Sequence, residues 1–205
     1  MSFGYVRDGD WTWLVSHDAH PVPETAWRTT FHAGPSAPAH LSAVNVYLVQ
    51  QPAGATPLEQ VRSTLDLAWA WQRAGATALV WPEPRMVLEG AKLARTCARR
   101  PSQLTTAELA WLLVAFTDFG VESGSRRLGT MGLTQFDQPE LCCEVSDPPT
   151  EEERMAVVQF LAAAVPNVID LGRPLEAGER IAVAGHRCVA GARTGLVQVI
   201  TPFGR

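Results

Sequence analysis

Residues 44–81 read VNVYLVQQPAGATPLEQVRSTLDLAWAWQRAGATALVW and contain the clearest secondary-structure signals of the chain. The β-branched run from Val44 to Val49 predicts a strand. Thr56-Pro57-Leu58-Glu59 predicts a helix start, because it supplies an N-cap threonine, a proline at the first helical position and a glutamate that closes a capping box. Thr77 to Trp81 predicts a second strand. We interpret the stretch as a β–α–β unit, usually a right-handed crossover between parallel strands.

The rest of the chain mixes strands and helices without strict alternation. Trp11 to Val15 alternates as a strand does, with both tryptophans on one face. Met86 to Arg99 predicts an alanine-rich helix. Leu109 to Phe119 is ambiguous, because the capping box from Thr105 to Glu108 favours a helix whereas the aromatic and branched residues suit a buried strand; a short helical turn running into a strand would reconcile both. A further helix begins at Pro148-Pro149-Thr150-Glu151-Glu152-Glu153, and we expect Pro166 to end it. The other predicted elements are a short helix at Pro23–Phe31 and strands at Leu128–Leu133, Leu141–Val145, Arg180–Ala184 and Thr194–Thr201.

This mixture predicts an α+β (mixed α/β) fold in a single domain over residues 1–205. We expect a central mixed β-sheet with about three to four packing helices. The chain has 205 residues, of which 46% are hydrophobic, so it can bury a core and is not a disordered chain.

Charge and lysine content exclude several kinds of function. With 17 basic and 21 acidic residues, the net charge of −4 argues against a nucleic-acid partner, which would favour a basic surface. The sole lysine, Lys92, lies outside any phosphate-loop motif, which excludes phosphate loops and makes Schiff-base chemistry rest on one residue. We expect no cofactor.

No targeting or membrane segment is predicted. Charged residues occupy Met1 to Asp10, where a signal peptide would be apolar. The longest apolar run, Leu109 to Phe116, is far shorter than the ~18 residues that span a bilayer. The four cysteines lack C-x-x-C spacing, so we expect reduced, mostly buried thiols, a cytoplasmic protein and no membrane partner.

The stretch from Gly129 to Leu141, GTMGLTQFDQPEL, resembles the T-x-G-L-x-x-F-G-x-P-E-L/I-E signature of an uncharacterised bacterial family, domain-of-unknown-function family 4261. A similar segment occurs in suppressor-of-fused-like domains. Ala74 to Trp81 resembles the family's glycine-alanine turn into an apolar strand, and Leu175 to Ile181 resembles its closing motif. The departures are Asp137 for a glycine, Cys142 for an acidic residue and Ala177 for an aspartate.

The resemblance implies a bacterial source and a mixed α/β domain, and it implies no established activity. Related folds recur among immunity and partner-binding modules, which favours a protein partner by analogy. We therefore expect a partner-binding surface in this segment, at Thr130, Gly132, Phe136 and Glu140.

Glu140 and Glu144 suggest a pair of carboxylates for acid–base catalysis. On one strand they would lie about 13 Å apart at ~3.3 Å per residue, beyond the roughly 5–9.5 Å of glycosidase pairs. We therefore expect a solvated strand face, with Glu140 alone serving to anchor the turn from Gly129 to Gly132.

Two further groups are weak candidates for metal binding or nucleophilic catalysis. His17 and His20 form a His-x-x-His pattern, which binds zinc only if other ligands converge on it. His186 and Cys188 share a predicted strand face, but nothing supplies an orienting third group. We expect surface histidines and a structural cysteine.

One basic cluster lies in the predicted helix that follows Pro84. Arg95 and Arg99 share a helix face with Lys92, and this face would suit an acidic partner or a phosphate, although a solvated face is the simpler interpretation. The tryptophans in predicted elements are expected to fill the core, with Trp71 free for a second contact.

The leading hypothesis is a non-enzymatic cytoplasmic protein-binding module of immunity or partner-recognition type. The alternatives are a metal-dependent hydrolase that uses the N-terminal histidines and a structural subunit of a larger assembly. The sequence leaves open whether the chain is a homo-oligomer.

Overall fold

A computed structural model of the chain describes residues 2–20, 43–81, 86–89, 100–122, 124–183, 185–195 and 197–202. It divides into two compact units, Met1–Leu104 and Thr105–Arg205. Both units combine helix and sheet, which confirms the predicted α+β class. The prediction that residues 1–205 form one domain stays a prediction. The helix expected at Pro23–Phe31 lies outside the described residues.

The first unit contains a three-stranded antiparallel sheet in the order β1-β2-β3. Its strands are β1 (Ser2–Asp8), β2 (Trp11–Asp18) and β3 (Ala43–Gln50), so both strands predicted here are confirmed. Trp11 and Trp13 stack with ring centroids 6.2 Å apart, as their shared face requires. Trp13 is fully buried.

Helix α1 (Pro57–Arg73) follows the sheet and begins at the predicted capping box. Its buried residues Val61, Leu65 and Ala68 recur at helical spacing, which gives the stripe that a core-facing helix needs. Arg62 connects α1 to the last residues of the unit, because its Nη1 donates hydrogen bonds to the carbonyls of Ser102 (2.8 Å) and Leu104 (2.6 Å).

The predicted β–α–β unit is wrong in its pairing. The strand after α1, β4 (Ala78–Trp81), pairs with β5 (Met86–Glu89) in a separate two-stranded antiparallel sheet, whereas β3 pairs with β2. An antiparallel neighbour so close along the chain satisfies the backbone of β4 without a crossover. The prediction of a helix from Met86 is also wrong for residues 86–89, and residues 90–99 lie outside the described part.

The second unit is built on a six-stranded mixed sheet in the order β6-β7-β8-β11-β10-β9. All neighbouring strands are antiparallel except β8 and β11, which are parallel. The predicted mixed sheet is thus present. Its strands are β6 (Ala115–Glu122), β7 (Ser125–Met131), β8 (Glu140–Val145), β9 (Arg180–Val183), β10 (His186–Thr194) and β11 (Val197–Pro202).

Two helices belong to this unit. Helix α2 (Thr106–Leu113) starts at the predicted capping box and passes through Val114 directly into β6, so the predicted helical turn running into a strand is confirmed. Helix α3 (Glu151–Leu171) also starts at a capping box, formed by Thr150 and Glu153.

The prediction that Pro166 ends α3 is wrong, because the helix continues to Leu171. An internal proline costs about 3 kcal/mol. Val165, Val168 and Ile169, on either side of the proline, are buried. Burial of each such side chain stabilises the fold by about 1.5–3 kcal/mol, which offsets the cost of the proline. By length and composition alone α3 could cross a membrane, and its six buried residues pack inside this unit.

Candidate functional site

The segment that resembles the family signature is organised around one buried carboxylate. Glu140 Oε1 accepts hydrogen bonds from the backbone N–H groups of Gly132 (2.7 Å) and Leu133 (2.9 Å). Glu140 Oε2 accepts a bond from the hydroxyl of Thr130 (2.9 Å), whose oxygen in turn accepts from Leu141 N–H (2.9 Å). Glu140 therefore anchors the turn, as predicted, and caps the 3₁₀ helix Leu133–Phe136.

Three backbone positions make this turn possible. A Cβ on Gly129 would lie 2.6 Å from Phe119 Cε2 and would overlap the carbonyl oxygen of Leu141. Gly132 has φ 116° and Asp137 has φ 58°, so both adopt the left-handed conformation that favours glycine. The signature carries glycine where this chain has Asp137, and aspartate is one of the few other residues that tolerate the conformation.

The structure therefore places four of the predicted partner-binding residues inside the fold. Thr130, Gly132, Phe136 and Glu140 are all buried. Their side-chain and backbone groups serve the turn, so a partner bound to the folded surface would contact their neighbours rather than these residues. Partner binding by this segment stays a prediction.

The other predicted partner-binding residues, Arg95 and Arg99, lie outside the described part of the chain, as does Lys92 of the same predicted helix face. The next residue, Arg100, is described, and it is exposed.

The metal candidates His17 and His20 lie at the end of β2. His17 is exposed, and His20 lies with its Nδ1 2.9 Å from Asp18 Oδ1. Hydrogen bonds from the side chain and backbone of His20 lower the pKa of Asp18. Within the described residues, no three His, Cys, Asp or Glu side chains are grouped closely enough to hold a metal ion. His32 and His40 lie outside them.

The described cysteines are buried inside the six-stranded sheet. Burial raises the pKa of Cys142 to about 11 and that of Cys143 to about 12, and it also raises the pKa of Cys188. Thiols of such high pKa are poor nucleophiles, because the thiolate is the reactive form. The structure therefore gives these cysteines the character of core residues.

Glu144, the second carboxylate of the rejected pair, points to solvent and pairs with Arg127 (Nη2 to Oε1, 3.1 Å). Arg127 also pairs with Glu122. Beside it, Arg126 bridges Asp118 (2.8 Å) and Asp147 (2.7 Å). These partners raise the pKa of both arginines. The charges on this face are thus mutually compensated. The expectation of a solvated strand face is confirmed for Glu144 and is wrong for Glu140, which is buried because its carboxylate accepts the hydrogen bonds of the turn.

The first unit has a shallow cleft of about 460 Å³ beside Trp11. Its charged walls already serve the fold: Glu59 closes the capping box of α1, Asp66 accepts from Ser102 N–H (2.9 Å), and Arg62 holds two backbone carbonyls. No nucleophile with an orienting base is present among the lining residues, which leaves the cleft without a catalytic set.

An exposed aromatic face covers one side of the three-stranded sheet. Tyr5 pairs with Leu14, and Leu14 pairs with Tyr47, so the three side chains share a face, and Phe3 joins them two residues before Tyr5. The exposed fractions are 66% for Phe3, 68% for Tyr5 and 58% for Tyr47. We call Phe3, Tyr5, Leu14 and Tyr47 the aromatic face. This face is not among the predicted sites, although the alternation of Phe3 and Tyr5 in SFGYVRD is the signal for such a strand.

One tryptophan departs from its expected place in the core. Trp111 is 75% exposed, while its helix buries Leu109, Ala110, Leu112 and Leu113. Helix α2 has eight residues, and Trp111 is the one aromatic residue among them. It lies on the side of the helix that faces away from the buried residues. The prediction that this tryptophan fills the core is wrong.

Comparison with known proteins finds no match: no family model, no curated protein and no solved structure is similar to the chain. The resemblance of residues 129–141 to domain-of-unknown-function family 4261 therefore stays a prediction.

Proposed function

We propose that the chain is a non-enzymatic protein-binding module of partner-recognition type, acting in the cytoplasm through the aromatic face of its three-stranded sheet. The single observation that supports this is the exposure of Phe3, Tyr5 and Tyr47 together on one face. Large aromatic side chains bury much apolar area at a low cost in conformational entropy, and they are enriched at protein interfaces.

The composition of the face favours a protein over a small ligand. Small-molecule sites are concave, whereas these side chains stand on the open side of a sheet. Arg7 lies on the same face, two residues beyond Tyr5, and arginine is also enriched at interfaces and at their energetic centres. A flat apolar centre with an arginine at its margin is typical of a protein contact.

The test is affinity purification of the tagged chain from cells that naturally make it. We compare the wild type with the double variant Phe3→Ser/Tyr5→Ser and with the control Trp111→Ser, which removes an equally exposed aromatic residue from the second unit. The proposal predicts that one protein co-purifies with the wild type and the control and is lost from the double variant. A partner retained by the folded double variant would contradict it.

A further inference from the structure

We propose that β3 is the dimerisation strand of this protein, and that it pairs antiparallel with β3 of a second copy to join the two three-stranded sheets. The proposal is independent of the proposed function, since it concerns the edge of the sheet rather than its aromatic face.

The edge strands of the two larger sheets differ in how they are protected. Exposed edges offer unpaired backbone groups, and proteins usually blunt them with charge or with shortness. β1 ends in Arg7-Asp8, β6 contains Asp118 and Glu122, and β9 has only four residues and begins with Arg180. β3, AVNVYLVQ, has eight residues with no charge and no proline.

The exposure of β3 supports the same conclusion. None of its eight residues is buried, and no described strand pairs with its outer edge. Val44 is 47% exposed and Val49 is 57% exposed, so apolar side chains of this strand reach solvent. Valine and tyrosine are residues that favour strands and pack well across paired strands.

A second copy fits this edge because the strand is uncharged along its whole length. In an antiparallel self-pairing of β3, whatever the register, no like charges face one another, whereas charged residues directly opposite would be destabilising. One twofold contact covers both outer edges, which no strand of the described residues pairs with, and closes the assembly. Full pairing of eight residues would form about eight backbone hydrogen bonds, within the usual range for a specific interface.

The experiment measures molar mass by light scattering over a wide range of protein concentration. The wild type is expected to be a dimer, and a wild type that stays monomeric throughout would overturn the proposal. Val44→Lys/Val49→Lys places like charges in both copies, and it should raise the dimer Kd at least about tenfold, or about 1.4 kcal/mol. The control Phe3→Lys/Tyr5→Lys carries the same charge on the other edge strand and should stay dimeric.

Charge reversal makes the test specific to this strand. Val44→Glu/Val49→Glu should raise the dimer Kd by a similar factor, and an equimolar mixture with the lysine variant should form a heterodimer that is tighter than either variant alone. Lysine and glutamate variants that are folded and dimerise with the Kd of the wild type would contradict the proposal. If either variant fails to fold, amide exchange of residues 43–50 in the wild type decides, because a β3 dimer requires slower exchange at higher protein concentration.

Discussion

Replacing Glu140 with alanine removes the acceptor on which the signature turn depends. The N–H groups of Gly132 and Leu133, both buried, lose their bonds of 2.7 and 2.9 Å, and the Thr130 hydroxyl loses its acceptor at 2.9 Å. A buried polar group left unsatisfied costs about 1–3 kcal/mol. Because the three groups share one pocket and relax together, we expect Glu140→Ala to lower the free energy of unfolding by about 3–5 kcal/mol.

The assay is equilibrium unfolding in urea with linear extrapolation to water. Glu144→Ala is the matched control, since it removes the same side chain from the same strand at an exposed ion pair, and it should cost less than about 1 kcal/mol. Glu140→Gln keeps an oxygen for the backbone donors but loses the charge, so its loss should fall between those of the two alanine variants. Equal losses for Glu140→Ala and Glu144→Ala would refute the anchoring role.

Three further predictions concern the second unit and, as a control, Gly4. Gly129→Ala should cost about 3 kcal/mol in unfolding free energy, because its Cβ would overlap Leu141 O, while Gly4→Ala, with open space around it, should cost less than about 1 kcal/mol. Asp137→Gly should raise the unfolding free energy by up to about 1 kcal/mol by relieving the left-handed backbone, and a loss of stability would contradict this. Hydrogen bonds from the Arg173 side chain lower the pKa of Glu179 from 4.5 to about 2. As the pH is lowered, the unfolded state therefore binds the Glu179 proton before the folded state does. The free energy of unfolding should decrease as the pH is lowered from 4.5 to about 2, and it should decrease less in Glu179→Gln. Thermal melts across this pH range measure the difference.

Local signals along the chain predicted the helix starts well. Thr56, Thr105 and Thr150 each begin a helix with a complete capping box, because threonine followed three residues later by glutamate satisfies backbone donors within one turn. The role of Glu140 was also predictable, since it follows a glycine-rich turn on the adjacent strand. In such cases the sequence separation is short and the interaction is local.

Pairing and burial were less predictable, because they depend on contacts distant in sequence. Nothing in residues 44–81 indicates that β3 pairs with the earlier strand β2, or that β4 pairs with the later strand β5. Pro166 is tolerated only because the unit buries α3 on both sides of it. The exposure of Trp111 and of the aromatic face likewise depends on which surfaces other elements cover in the fold. Secondary-structure propensity carries no information about that.

The most direct test of partner recognition is site-specific photo-crosslinking in living cells. A crosslinking amino acid at Tyr5 stands on the aromatic face, and the same amino acid at Trp111 stands on an equally exposed site of the second unit. The proposal predicts one discrete crosslinked protein from position 5 that is absent from position 111. No crosslinked protein from position 5, or the same protein from both positions, would contradict recognition by this face.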